Sequence, residues 1–190
     1  LLFDATDAKS VRGTIAEAAG GDTTEIKVIN SANSEAPSVV TFTSTVAADT
    51  LTIGTTTYGG AALFEEAVTT PTINVVGGDH ADEDSTATFN KAVTASSGIT
   101  LNDQTGDAKV IFAANNSVTI TGTIDGASSD EGTIQVTGAT KTFSGAIGTT
   151  QALTLIDIDN TSTFNEAISA TNINVADSIT ATFKANTTFT

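Results

Sequence analysis

Seven of the chain's nine phenylalanines fall in one recurring piece of sequence, and that recurrence limits what the 190 residues can fold into more than any other feature. The copies read VVTFTSTVAADTLTI, AALFEEAVTTPTINV, TATFNKAVTASSGITL, KVIFAANNSVTI, TKTFSGAIGTTQALTL, TSTFNEAISATNINV and TATFKANTTFT. They place Phe42, Phe64, Phe89, Phe112, Phe143, Phe164 and Phe183 at successive spacings of 22, 25, 23, 31, 21 and 19 residues. Self-similarity at such a period marks a chain assembled from stacked supersecondary units. In each copy a short alternating piece ends at phenylalanine. Two variable residues follow, then in most copies Ala-Val or Ala-Ile: Ala67-Val68, Ala92-Val93, Ala146-Ile147 and Ala167-Ile168. A second alternating pair closes the unit: Leu51/Ile53, Ile73/Val75, Ile99/Leu101, Val118/Ile120, Leu153/Leu155 and Ile173/Val175.

Alternation with period two marks strands that bury one face. Between copies lie GGDHADEDS, NDQTGD and DIDN, whose Gly, Asp and Asn residues favour turns. Threonine, at 38 residues, suits pleated and half-buried surfaces, so the chain is expected to be all-β. Helix formers are dense only in GTIAEAAGG, which glycine brackets too closely for a stable helix. A unit of this size cannot bury its apolar face alone. Coils stacked about 4.8 Å apart can, by laying equivalent side chains into columns. Residues 1–190 therefore read as a single β-solenoid segment, a parallel β-helix of about eight or nine coils, with the seven phenylalanines as its structural ladder. The alternative is one or two antiparallel β-sandwiches, which strand spacing alone permits. The solenoid is preferred because a Greek key puts successive strands in unlike surroundings. A longer echo joins GTIAEAAGGDTTEIKV from Gly13 to GTIDGASSDEGTIQV from Gly122, a shift of 109 residues. The 31-residue spacing before Phe143 reads as the insertion of that extra GTI element. The first and last residues, LLFDATDAKS and TATFKANTTFT, read as boundaries inside a longer or assembled chain.

Repeats in the style of TATFNKAVTASSGITL resemble those of bacterial β-strand-repeat surface proteins: S-layer-like proteins, filamentous adhesins and the β-solenoid passengers of autotransporters. The resemblance covers about Val39 to Thr190. It implies an extracellular, cell-surface location, self-association and, often, calcium. The calcium-binding nonapeptide pattern Gly-Gly-x-Gly-x-Asp is not reproduced in series, and GGDHADED is a single partial echo of it.

Charge narrows the partners. The 22 acidic residues outnumber the 7 basic ones for a net charge of −15, which repels phosphate backbones and anionic lipid. Nucleic acid and membrane insertion are not expected, and no apolar run reaches the roughly 18 residues of a spanning helix. With no cysteine the chain forms no disulfide and offers no thiolate. Catalysis is poorly supplied: His80 is the one histidine, Arg12 the one arginine and Tyr58 the one tyrosine. Asp157 and Asp159 face the same way on a strand and could in principle flank a glycosidic bond, although a solvated strand end explains them as well.

The metal candidate is the acidic turn containing Asp79, Asp82, Glu83 and Asp84, with carbonyls from Gly77-Gly78; Asp103 and Asp107 belong to the following turn. Calcium takes six to eight oxygens, which an acidic loop can supply, while a hydrated charge run is the simpler reading. Thr-x-Thr pairs at Thr86/Thr88, Thr161/Thr163 and Thr180/Thr182 resemble the threonine ladders of ice-binding solenoids, although strand propensity enriches threonine on its own. Ala62 and Val110 interrupt that pattern in other copies. Sequons at Asn115, Asn160 and Asn186 are expected by chance in so threonine-rich a chain.

The sequence thus points to a non-enzymatic structural protein of a bacterial surface layer or filament, self-assembling at the cell surface. Its expected partners are other copies of itself and cell-surface polysaccharide, and its expected cofactor, if any, is Ca2+. The alternatives are an adhesin or passenger-type module binding glycan or a host surface, and a carbohydrate-active β-helix enzyme.

Overall fold

The structure, a computed structural model, describes residues 1–16, 24–32 and 36–190. Within these residues every regular element is a strand, and every strand pairing is parallel. The antiparallel sandwich is thereby excluded. The chain winds as a β-solenoid whose successive windings supply strands to three sheets.

The first sheet holds six strands: Leu2–Asp4, Glu25–Ile29, Thr50–Ile53, Thr72–Val76, Gly98–Asn102 and Ile124–Gly126. The second holds nine: Lys9–Val11, Val39–Phe42, Gly60–Phe64, Ser85–Phe89, Ala108–Phe112, Thr133–Val136, Leu153–Ile158, Ile168–Val175 and Thr187–Phe189. The third holds seven: Val46–Ala47, Val68–Thr69, Val93–Thr94, Val118–Thr121, Lys141–Phe143, Ser162–Phe164 and Ala181–Phe183. Nine strands in the second sheet make eight steps, a rod about 38 Å long at ~4.8 Å per step.

Alternation decides which side chains face inward. In Ser85–Phe89 the residues Ser85, Ala87 and Phe89 are buried, and Thr86 and Thr88 point outward. The register carries this pattern from winding to winding. Phe42, Phe64, Phe89 and Phe112 are paired in line on the second sheet. Ile26, Leu51, Ile73, Ile99 and Ile124 form a matching column on the first. The rings stack, at 4.9 Å between Phe42 and Phe64, 5.0 Å between Phe64 and Phe89, and 5.9 Å between Phe89 and Phe112.

The ladder then changes sheets. Phe143, Phe164 and Phe183 end strands of the third sheet, where Phe143 pairs with Ile120. Phe112 pairs instead with Val136. The 31-residue spacing is one winding, Phe112 to Val136, plus the short step on to the next strand; it is not an inserted element. The ring column survives the change through an edge contact between Phe112 and Phe143, 5.3 Å apart at 78°. Stacking resumes at 4.8 Å for Phe143–Phe164 and 5.2 Å for Phe164–Phe183.

Other parts of the motif shift with it. Val46, Val68 and Val93 lie on the third sheet, whereas Ile147 and Ile168 continue the column of Ile124. Ile26 and Val28 belong to the first sheet, and their echo, Ile134 and Val136, to the second. Ile15 bridges to Val46 of the third sheet, while Ile124 belongs to the first. The echo therefore spans four windings and one further strand; its residues 17–23 lie outside the described set. Three alternating pairs are also reassigned. Val118/Ile120 sits on the third sheet; Leu153 is buried but Leu155 is not, the inward alternation running on at Ile156/Ile158; and Ile173/Val175 pairs with Ile156/Ile158 on the second sheet.

Candidate functional site

The acidic turn joins Thr72–Val76 of the first sheet to Ser85–Phe89 of the second. It is closed by its own backbone: Gly78 N–H donates to the Glu83 carbonyl at 2.8 Å, and Glu83 N–H to the His80 carbonyl at 3.0 Å. Glu83 is fully buried, and its Oε2 accepts from His80 N–H at 3.2 Å. Glycines make room for it. A Cβ on Gly59, Gly78 or Gly106 would come to 2.6 Å from Glu83 atoms or closer. These three residues come from successive windings, so Glu83 ties three corners of the rod together.

The remaining carboxylates take separate directions. Asp79, Asp82 and Asp84 are exposed. Asp79 lies 3.8 Å from the His80 ring, and Asp84 accepts from Asp107 N–H at 2.8 Å. Asp103 accepts from Ala108 N–H at 2.7 Å and from Gly132 N–H at 2.8 Å, so it spans two windings. Burial, then Asp84, then Asp103 push the Asp107 carboxyl above its ordinary value. Among the described residues no three acidic or histidine side chains converge as a metal-binding group. The turn carboxylates mainly hold main-chain N–H groups in neighbouring windings, a use to which short acidic side chains are well suited.

Asp157 and Asp159 lie at the end of Leu153–Ile158, on the outer face of the second sheet. Partial burial, then Asp159, raises the Asp157 carboxyl, and Lys109 opposes the shift. Asp159 accepts from Gln135 Nε2 at 2.9 Å. The two lie on an open sheet face, and no pocket is present among the described residues.

One ionisable residue escaped the sequence reading. Lys141 is completely buried and donates to the carbonyls of Ala114 at 2.8 Å, Thr137 at 2.9 Å and Ala139. Burial pulls its ammonium down to about 8. The signal was its spacing: Lys141 stands two residues before Phe143, in phase with the core, where the next two windings carry Ser162 and Ala181.

The threonine pairs divide between faces. Thr86 and Thr88 lie on the second sheet beside Ala61, Leu63, Lys109 and Ile111. Ala62 and Val110 do not interrupt them: both are inward-facing partners of Ala87. Thr163 and Thr182 lie instead on the third sheet, in line with Thr119 and Thr142. No family model, curated protein or solved structure matches the chain.

Proposed function

We propose that the chain is a structural, self-assembling protein of a bacterial surface layer or filament, extracellular, whose partners are other copies of itself. The observation that supports this reading is the in-register stack itself: every strand pairing is parallel and equivalent side chains fall in columns from winding to winding, so the chain presents long faces of repeated strands to another copy. Calcium is proposed as an aid to assembly, acting on the acidic turns to reduce repulsion between copies of charge −15.

Light scattering during calcium addition and chelation tests this. Scattering should rise with calcium and fall on chelation, with the far-UV spectrum constant. Scattering that ignores both calcium and chelator defeats the calcium role. A protein that sediments as a monomer throughout defeats self-assembly, and the adhesin-type binding module becomes the better reading.

A further inference from the structure

The corner between the second and third sheets changes where the phenylalanine column does. Val136 takes the register position that Phe64, Phe89 and Phe112 hold in the windings before it. The turn 137–140 then leads into Lys141–Phe143, and the next inward residue is Lys141, fully buried. Its ammonium meets main-chain oxygens alone. Nζ donates to the carbonyls of Thr137 at 2.9 Å and Ala139, both in the turn, and of Ala114 in the previous winding at 2.8 Å. Among the described residues the ion pairs are Lys27–Glu25 and His80–Asp79, so no carboxylate pairs with Lys141. Three acceptors match the three N–H groups of an ammonium, whereas a neutral amine would turn a lone pair on one of them. Burial pulls the group down to about 8, which leaves it charged at neutral pH.

The oxygens do not rely on the lysine for their positions. Ala139 N–H donates to the Ala114 carbonyl at 2.8 Å, and Thr137 N–H to the Phe112 carbonyl at 3.0 Å. Asn160 of the next winding donates its side-chain amide to the Gly138 carbonyl. Gly138, at φ 72°, lets the turn lie against the winding before it, since a Cβ there would collide with the Ala114 carbonyl oxygen. A ring of acceptors fixed in this way is preorganised for a cation that has N–H groups to give. Without one, buried oxygens lose a partner, which is costly. The next residue of the inward column repeats the use on a smaller scale: Ser162 Oγ donates to the Asn160 carbonyl at 2.9 Å.

We propose that this ring of carbonyls is a binding site for a primary ammonium ion, filled in this chain by its own lysine and open to a free alkylammonium once that side chain is shortened. The site belongs to the winding and is independent of how copies associate. Urea unfolding of Lys141→Ala in n-propylammonium chloride tests this, because that ion carries the atoms the substitution removes. A ligand that binds only the folded chain raises stability with the logarithm of its concentration. The urea midpoint of Lys141→Ala should climb toward that of the unsubstituted chain with each tenfold rise in propylammonium. The unsubstituted chain and Lys141→Met, which keeps the stem without the ammonium, should not respond. If Lys141→Ala is unfolded by itself, propylammonium should fold it. A midpoint or a fold that ignores propylammonium overturns the proposal. So does an equal rise with tetramethylammonium, which has no N–H, or a rise shared by Lys141→Met. In the unsubstituted chain, ammonium-selective 1H–15N spectra should show one slowly exchanging lysine amine that Lys141→Met lacks; fast exchange at every lysine also overturns it.

Discussion

Phe89 is stacked on both sides, by Phe64 and Phe112, and is 1% exposed. Its removal takes away buried apolar area and leaves a hole that two rigid neighbouring windings cannot close. Phe89→Ala should therefore cost about 3–5 kcal/mol in urea unfolding. Phe183, 36% exposed and stacked on one side, should cost about 1–2 kcal/mol, because only part of its transfer energy is at stake. Equal costs at the two positions would mean that the column does not carry the stability. Lys141 gives a different signature. Its folded pKa is depressed, so between about 8 and the unfolded value of 10.5 the unfolded chain binds more protons. Stability should rise with pH through that window and be insensitive to this group below it. Lys141→Met should remove that rise, seen as a shrinking difference between the two proteins' urea midpoints from pH 8 to 10. A difference independent of pH would show that the amine titrates alike in both states.

The acidic turn shows how an element constrains its neighbours. A Cβ on Gly78 would lie 2.5 Å from Glu83 Oε2 and 2.6 Å from Glu83 Cβ, whereas one on Gly77 would lie 1.8 Å from the Gly106 carbonyl oxygen. Gly78→Ala should therefore destabilise by overpacking, by about 1–3 kcal/mol, and lose much of that cost in a Glu83→Gly background. Gly77→Ala meets backbone and should cost the same in either background. A cycle with no coupling between positions 78 and 83 would remove the buried glutamate from its place as the corner's tie. The sequence made the strand faces legible, because inward Phe, Val and Ile alternate with outward Thr at nearly every winding. It hid the identity of each strand's sheet, since the same Thr-x-Thr-Phe ends a strand of the second sheet at Phe89 and of the third at Phe164. It also hid the column of Thr119, Thr142, Thr163 and Thr182, which are register partners only on the third sheet. The burial of Lys141 and of Glu83 was hidden for a related reason. Charged residues are expected outside; the main-chain carbonyls around Lys141 satisfy its ammonium, while glycines make room for Glu83 and His80 N–H donates to it.

At the scale of the whole molecule, the change of sheet between Phe112 and Phe143 turns two similar-looking deletions into opposite experiments. Removing residues 90–112 takes out one strand from each sheet: Val93–Thr94, Gly98–Asn102 and Ala108–Phe112. It joins Phe89 to Ala113, and since Phe89 and Phe112 are register partners the new junction repeats the old one. Each winding touches only its neighbours, so a stack shortened by one unit keeps every remaining kind of contact. The shortened chain should fold, with an unchanged far-UV spectrum per residue and a slightly lower melting temperature. Removing residues 113–143 also joins one phenylalanine of the repeat to the residue after the next. It deletes two third-sheet strands, Val118–Thr121 and Lys141–Phe143, against one from each other sheet. The end of a second-sheet strand then runs directly into the segment that follows a third-sheet strand. Every later side chain is displaced by one strand around the rod, and Phe164 loses one of the two rings on which it stacks. This chain should melt without cooperativity and expose apolar surface to a hydrophobic dye. Equal behaviour of the two deletions would mean that the seven phenylalanines are interchangeable after all, and that the step between sheets has no energetic consequence.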